Sequence, residues 1–574
     1  MTITSDITAC IRKYSVKNAT DYGKAHEGSV LNKVISEYPE HKQDIKAIAK
    51  EVGHIVAEVN SLAPEMLKAE YLKYAPEFDE RETGKRLKTS APNLELKGAV
   101  TGTFATRYPP APNGYMHIGH AKSVFLGSEM AAKYSGKFFL YFDDTNPDKD
   151  KQEFVDQFHD VLNWLGIKFD DEYYASDSIE KTYSAAETLI NNGNAYACSC
   201  SPEKIKADRL SRTGCEHREN DRAANLKSFK AMLSGSYEEN SMIIRFRGDM
   251  KSENTALRDP IILRIKKTRH YRQGNKYCVW PTYDFNTPIM DSIHGVTDVL
   301  RSKEFELRDE LGRQILHNLS MRQPRIHSFS RLVIKGNITH KRELNKLISE
   351  GLISGFDDPR LVTITALRRR GIRPEAIRNF ILKVGMTKTD SIVSIDPLLA
   401  ENRKVIEPES KHLFFVKDPV KLFIKGMKKS RVSLKLQPSS SSAVREYDVG
   451  ETFYIAGHDA KQINEGDIIR LKDFICIKIL SSGEEITAES SAAQGSESTI
   501  QWVSGDNYLK CKIMIPTPPI GDAGNFKTDS LTTANGYIEN YAQNLAEHDI
   551  VQLERFGYCI LDDKKSLGFI FISR

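Results

Sequence analysis

At 574 residues, and with about 150 residues to a domain, the chain is no single small module but roughly four domains or one catalytic body with appendages. Its 40% hydrophobic and 9% aromatic content, with 22 Pro and 35 Gly, excludes a disordered or collagen-like chain and predicts a sizeable core. A formal charge of +5, from 82 basic and 77 acidic residues, is too mild for a histone-like binder yet compatible with local basic surfaces for a polyanion.

In chain order, Ile45, Ile48, Ala49, Val52, Ile55, Val56 and Val59 recur at spacings of three and four, which predicts a helix with one apolar face. The first ninety residues read as helical throughout. Gly84, Pro92 and Gly98 punctuate a basic, polar stretch over 83–98, predicting a linker and a boundary near residue 98. Alternating β-branched residues over 99–106 predict a strand. Pro109, Pro110, Pro112 and Gly114 then force a non-helical turn before helical spacing resumes after His117. A strand at 138–142 and helices at 153–165 and 179–191 continue a βαβ alternation, the pattern of an α/β body on a parallel sheet. Segments from 343 to 385 remain helical. Beyond them, strands at 413–424, 452–455, 468–480, 500–503 and 510–515, with a polar loop at 439–442, predict barrels.

Eight cysteines are too few for a disulfide scaffold. Cys198-Ser-Cys200 and Cys215-Glu-His217, separated by fourteen residues, place four ligand-type side chains in two close pairs. That spacing suits a tetrahedral structural zinc with no open position for water; both pairs are tighter than usual finger spacing, so thiols beside an unrelated histidine remain the alternative. The opening lacks a positive flank and an apolar run, and nowhere do 18 apolar residues follow one another. The expectation is a cytoplasmic protein without a membrane partner.

The segment Arg107-Tyr-Pro-Pro-Ala-Pro-Asn113-Gly114-Tyr-Met-His117-Ile-Gly119-His120 sets two imidazoles at i and i+3 on one face of a first helical turn. Free N–H groups at a helix N-terminus, with Gly114 and Gly119 permitting close approach, suit a nucleotide. Taken alone, the pair reads more readily as two satisfied histidines. The whole string resembles the HIGH signature of class I aminoacyl-tRNA synthetases, and its flanks resemble the glutamyl/glutaminyl branch of that family. The resemblance continues through Tyr141-Phe-Asp-Asp-Thr-Asn-Pro147, Tyr283-Asp-Phe, Gly295-Val-Thr-Asp-Val-Leu-Arg301, Lys341-Arg-Glu-Leu-Asn-Lys346, Phe356-Asp-Asp-Pro-Arg-Leu and Leu367-Arg-Arg-Arg-Gly371. It reaches Ile500-Gln-Trp-Val503 and Leu553-Glu-Arg-Phe-Gly557, and the helical segment before it resembles that of archaeal glutamyl enzymes.

The resemblance implies a multidomain chain: a helical N-terminal extension (1–97), and an α/β Rossmann-type catalytic domain in two halves (98–195 and 278–342) around an acceptor-end-binding insertion (196–277). A helical connecting subdomain (343–407) and all-β anticodon-binding barrels (408–574) complete it. The implied activity is that of a ligase. ATP with Mg2+ activates L-glutamate to an adenylate, and the acyl group passes to the 2′-hydroxyl of the terminal adenosine of tRNA(Glu), with tRNA(Gln) as a candidate second partner. The implied ATP contacts are Pro109, Asn113, Gly114, His117, Gly119, His120, Thr339 and Lys341, of which His117, His120 and Lys341 are catalytic. In the second signature loop, Ile338-Thr339-His340-Lys341-Arg342, His340 stands where the family usually has Ser.

For the amino acid, the resemblance implies Asp143 at the substrate ammonium, Tyr283 beside the side chain and Arg107 available to a carboxylate. Arg301 stands where glutaminyl enzymes typically carry a small uncharged residue. Its fork fits a carboxylate bidentately and favours glutamate, the alternative being a salt bridge to an acid such as Glu304. Arg368, Arg369, Arg370 and Arg373 are implied contacts to tRNA phosphates, or else a solvated helix end. A monomer or weak oligomer is expected. A glutaminyl enzyme, a tRNA-modifying paralogue and a non-catalytic RNA-binding relative remain alternatives.

Overall fold

The computed structural model describes residues 5–38, 44–84, 95–437, 443–492 and 498–574. The chain forms two units, Met1–Asn93 and Leu94–Arg574. Within the linker read at 83–98, residues 85–94 lie outside the described residues, as does the whole loop at 439–442.

The first unit consists of helices α1 (Ser5–Tyr22), α2 (Glu27–Glu37), α3 (Ile45–Asn60) and α4 (Pro64–Gly84). The apolar face read from the sequence packs as expected: Ile48, Val52, Ile55, Val56 and Val59 share a core with Ile11 and Val16 of α1 and Val30 and Val34 of α2. Arg12 ties three of these helices, donating from Nε to Glu70 (2.7 Å) and from Nη1 to Glu58 (2.8 Å).

The second unit opens with two βαβ crossovers: β1 (Ala105–Tyr108), α5 (Ile118–Lys133), β2 (Lys137–Phe142), α6 (Gln152–Trp164) and β3 (Asp171–Tyr174). The three strands are parallel. The expected strand at 99–106 is corrected to β1, because Gly98 and Gly102 hold φ at 79° and 82°, a left-handed backbone that interrupts extension. After α7 (Ile179–Asn191) comes an antiparallel insertion of β4 (Ala195–Cys198), α8 (Pro202–Ser211), α9 (Arg222–Leu233), β5 (Ile243–Phe246), β6 (Ile261–Ile265) and β7 (Val279–Pro281). The chain then returns through α10 (Tyr283–Ile293), β8 (Asp298–Ser302), α11 (Asp309–Asn318) and β9 (Arg325–Phe329). β8 and β9 pair in parallel, and Thr297 exchanges two bonds with Ala105, backbone N to O (2.8 Å) and Oγ1 from Ala105 N (2.8 Å). This sets β8 beside β1 and completes a Rossmann-type body.

β10 (Leu332–Ile334), α12 (Lys341–Ser349), α13 (Ile364–Arg369), α14 (Pro374–Val384), β11 (Ser391–Val393) and α15 (Asp396–Ile406) follow. The segment before α13 lies on the segment before α5: Ile118 N donates to Val362 O (3.0 Å) and Ile364 N to Met116 O (2.8 Å).

The remainder is a two-stranded antiparallel sheet of Ser430–Lys435 and Val444–Val449 and two seven-stranded sheets. In one, the edge strands Thr499–Ile500 and Trp502–Ser504 are separated by Gln501 alone; in the other, Lys411–Leu413 and Phe415–Lys417 are separated by Phe414 alone. Each sheet thus curls its two edges toward one residue, the barrel solution to exposed edges. The single strands expected at 413–424 and 468–480 are each broken. The second breaks where Asp473 turns to a φ of 54°, between Ile468–Leu471 and Cys476–Ser481. Leu531–Glu539, Gly557–Asp563 and Gly568–Ser573 are strands that the sequence reading did not name.

Candidate active site

The turn after β1 and the start of α5 open onto a cavity of ≈ 680 Å3, within the roughly 300–1,000 Å3 usual for small-molecule sites. Arg107, Pro109, His117, Gly119, His120, Lys122, Asp143, Tyr283, Arg301 and Thr339 line it. A neighbouring cavity of ≈ 260 Å3 shares the two histidines and Thr339 and adds Asn113, Gly114 and Lys341. Both lie beyond the carboxyl ends of parallel strands, where α/β sheets bind ligands.

His117 is the N-cap of α5. Its Nδ1 accepts from Gly119 N (3.1 Å), the Nδ1 of His120 accepts from His117 N (3.2 Å), and the rings stack at 3.9 Å. An added Cβ on Gly119 would stand 2.9 Å from His117 Cε1, so the stack requires glycine there. A neutral imidazole that accepts at Nδ1 carries its proton on Nε2. Burial keeps both rings neutral, pulling His120 down to about 4 and His117 well below its ordinary value, with His120 a further cause for the latter. At neutral pH the pair therefore offers Nε2–H donors without net charge, which suits the oxygens of a phosphate.

Lys341 begins α12. Its Nζ donates to Asn113 O (2.6 Å) and lies 4.2 Å from the centroid of Phe154, so the lysine of the second signature packs on the turn of the first. Burial lowers its pKa. His340, the exposed N-cap of α12, makes no side-chain capping bond.

Elsewhere on the cavity wall, Asp143 follows β2, is 6% exposed, and accepts from Thr145 Oγ1 (3.1 Å) and Asn286 Nδ2 (3.3 Å). Burial pushes its pKa up to about 6. Arg107 is less available than the sequence suggests: Nε and Nη2 grip Asp291 at 2.8 and 3.0 Å, which leaves Nη1 toward a ligand. Arg301 is paired, but with Asp309 through Nη2 rather than with Glu304, which accepts instead from Ser302 Oγ (3.1 Å). The Arg301 Nε is buried without a hydrogen-bond partner.

Asp291, Asp309 and Lys122 escaped the sequence reading. Lys122, 1% exposed, donates to Ser330 O (2.7 Å) and Ser330 Oγ (3.2 Å), and burial brings it down to about 8. A lysine inside an otherwise apolar helical face, three residues beyond Gly119, was its only signal.

A family model described as tRNA synthetases class I (E and Q), catalytic domain, matches residues 103–408. Two described as the anti-codon binding domain of the same class match residues 410–492 and 499–562. The chain belongs to the class I glutamyl and glutaminyl tRNA synthetases. A glutamate--tRNA ligase of Nitrosopumilus maritimus is 41% identical over 97% of this chain and 98% of its own. Those of Cenarchaeum symbiosum and Pyrococcus furiosus are each 36% identical, over 97% and 96% of this chain and 98% and 96% of their own.

In this synthetase the insertion brings Cys198, Cys200, Cys215 and His217 together, their ligand atoms all within 4.8 Å of one another. Cys198 Sγ and Cys215 Sγ are 3.9 Å apart, and Cys200 Sγ and His217 Nδ1 are 3.4 Å apart. Tetrahedral zinc with Zn–S bonds of about 2.3 Å would space sulfurs about 3.8 Å apart, close to the 3.9 Å between Cys198 and Cys215, so the donor set suits the ion. His217 Nε2 lies 2.9 Å from Ser199 Oγ, the second contact that orients a ligating imidazole.

The four arginines of the synthetase's helical subdomain do not form one surface. Arg370 is 5% exposed, its Nη2 donating to Ile572 O (3.0 Å) on the last strand of the barrel, in the core that strand shares with the helices. Arg369 grips Asp562 with Nε and Nη2 (2.9 and 2.8 Å). Arg370 is thereby removed from the phosphate-contact set and Arg369 is committed to the barrel. Arg368, paired with Asp160 (3.1 Å), and Arg373 remain exposed.

Proposed function

We propose that this synthetase joins L-glutamate to tRNA(Glu) in two steps through a glutamyl-adenylate. The observation that carries the choice of glutamate is Arg301, a nearly enclosed guanidinium on the cavity wall with a buried, unpaired Nε. Asp309 already pairs with Nη2, and a carboxylate supplies two acceptors for the N–H groups that remain. A carboxamide offers one oxygen and sets its own NH2 against a buried donor, at about 1–3 kcal/mol.

In the first step Asp143 holds the substrate ammonium, Arg301 and the free nitrogen of Arg107 hold the side-chain carboxylate, and the α-carboxylate attacks the α-phosphorus of ATP. Charge grows on the equatorial oxygens and on departing pyrophosphate. The Nε2–H groups of His117 and His120 serve the former and the Lys341 ammonium the latter, from a preorganised turn that needs no rearrangement. Pro109, Asn113, Gly114, Gly119 and Thr339 shape the nucleotide's bed. In the second step the 2′-hydroxyl of the terminal adenosine displaces AMP from the acyl carbon.

Magnesium accompanies ATP as part of the substrate. A zinc ion held by Cys198, Cys200, Cys215 and His217 staples the insertion and takes no part in the chemistry. Arg368 and Arg373 meet tRNA phosphates, and the chain works in the cytoplasm as a monomer or weak oligomer; among described residues no helix is long and apolar enough to cross a membrane. Charging of purified tRNA(Glu) and tRNA(Gln), each offered both amino acids, tests the reading and decides whether tRNA(Gln) is also a substrate. Glutamine activated as fast as glutamate overturns it.

A further inference from the structure

We propose that Asp309 is a specificity-positioning residue: it grips Nη2 of Arg301 and so fixes which guanidinium N–H groups meet the substrate's side chain. The inference rests on the reading that Arg301 recognises that side chain.

Arg301 sits on β8, and the short 3-10 turn Lys303–Arg308 folds the chain back so that Asp309, the first residue of α11, reaches the same guanidinium. The pair is shielded, with side-chain exposures of 13% and 15%. An acid in the first turn of a helix is itself anchored by the helix's positive end. The other acids close by are committed elsewhere: Asp291 to both donors of the Arg107 fork, Glu304 to Ser302 and Arg331. Apart from the Tyr283 hydroxyl beside it, Asp309 is the polar side chain that holds Arg301 among the described residues.

Arg301 separates two spaces, the large cavity and a pocket of ≈ 30 Å3 lined also by Tyr283, Asp291 and Asp309. A guanidinium free to swing between them could turn one N–H toward the single oxygen of a carboxamide and accept glutamine. With Nη2 anchored it presents a fixed fork. A carboxylate meets that fork with two acceptors, whereas a carboxamide must set its own NH2 against an N–H donor. Asp309 therefore acts through Arg301, without touching the substrate.

The test uses the full-length enzyme and ATP–pyrophosphate exchange with glutamate and with glutamine. Asp309→Ala is expected to lower the glutamate-over-glutamine ratio of kcat/KM by about tenfold or more, chiefly by raising KM for glutamate, while KM for ATP holds and thereby reports an intact fold. Asp309→Asn keeps an acceptor oxygen for Nη2 and is expected to restore most of the ratio. Arg301→Ala separates the levels. If it collapses the ratio while Asp309→Ala leaves it unchanged, the positioning role is wrong and the Arg301 reading stands. If Arg301→Ala leaves the ratio unchanged, the reading beneath it fails as well. An Asp309→Asn enzyme as unselective as Asp309→Ala also overturns positioning, since charge rather than geometry would then be what matters.

Discussion

Replacing Lys341 with alanine removes an ammonium held 2.6 Å from Asn113 O, on the turn that also carries His117. A unit charge about 4 Å from a phosphate oxygen is worth about 4 kcal/mol at the effective dielectric of about 20 suited to a partly buried site. Removing one preorganised oxyanion donor from an enzyme typically costs about 10²–10³ in kcat. The two figures converge on a loss of roughly 10³-fold in adenylate formation. Because Lys341 touches none of Asp143, Tyr283 or Arg301, KM for glutamate should hardly move, so the defect belongs to kcat. Lys341→Arg keeps the charge but not the fit of a single nitrogen between Asn113 O and the Phe154 ring, and should recover only part of the rate. ATP–pyrophosphate exchange at saturating glutamate measures the effect, with a thermal melt to confirm folding. An exchange rate unchanged by Lys341→Ala refutes the assignment of this ammonium to pyrophosphate.

Three further predictions concern other parts of the chain. Asp143 must be ionised to hold an ammonium and its pKa is raised to about 6, so KM for glutamate should climb as pH falls through 6. Asp143→Asn should flatten that profile, and a wild-type KM independent of pH between 5 and 7 would contradict it. The same shift makes the folded state the better proton binder, so this group's contribution to stability is complete below its unfolded pKa of about 4 and lost as pH rises through the folded value. Asp143→Asn is accordingly expected to melt above wild type at pH 8, by up to about 3 kcal/mol, while losing activity. Metal analysis should find about one zinc per chain, with Cys215→Ser reducing it and chelation lowering the melting temperature; a metal-free, equally stable protein would end the zinc assignment. Arg370→Met, which removes a buried cation whose pKa burial has brought down to about 10, should cost little stability or raise it and leave tRNA binding unchanged. Arg368→Ala or Arg373→Ala should instead reduce the salt slope of tRNA binding by about one. Weaker tRNA binding by Arg370→Met would return that residue to the RNA surface.

What the sequence discloses here is what is local. The proline-rich turn, the glycine between two histidines and the periodicity of α3, α6 and α7 state their own geometry, because backbone restriction and helical spacing are properties of neighbouring residues. Asp291 and Ser330 gain their roles from Arg107 and Lys122, 184 and 208 residues away, and no spacing rule reaches that far. The arginine run misled for a related reason. At about 100° per residue, consecutive helical side chains point in different directions, so Arg368 faces solvent while Arg370 is buried against the barrel's last strand. The strands at 413–424 and 468–480 show another limit: each run is broken at a Lys-Asp pair whose Asp418 or Asp473 turns to positive φ, a single turn residue that the apolar residues on either side outweighed.

Helix α13 has a consequence for how distant parts of the molecule are mechanically related. Its first residues share backbone bonds with the segment bearing His117, and the arginines at and just past its end are fastened to Asp562 and Ile572. Six residues of helix, about 9 Å at 1.5 Å per residue, are all that intervene. The barrel and the imidazoles are thus joined by a stiff strut rather than a tether, and a torque applied at one end has very little chain in which to dissipate before it arrives at the other.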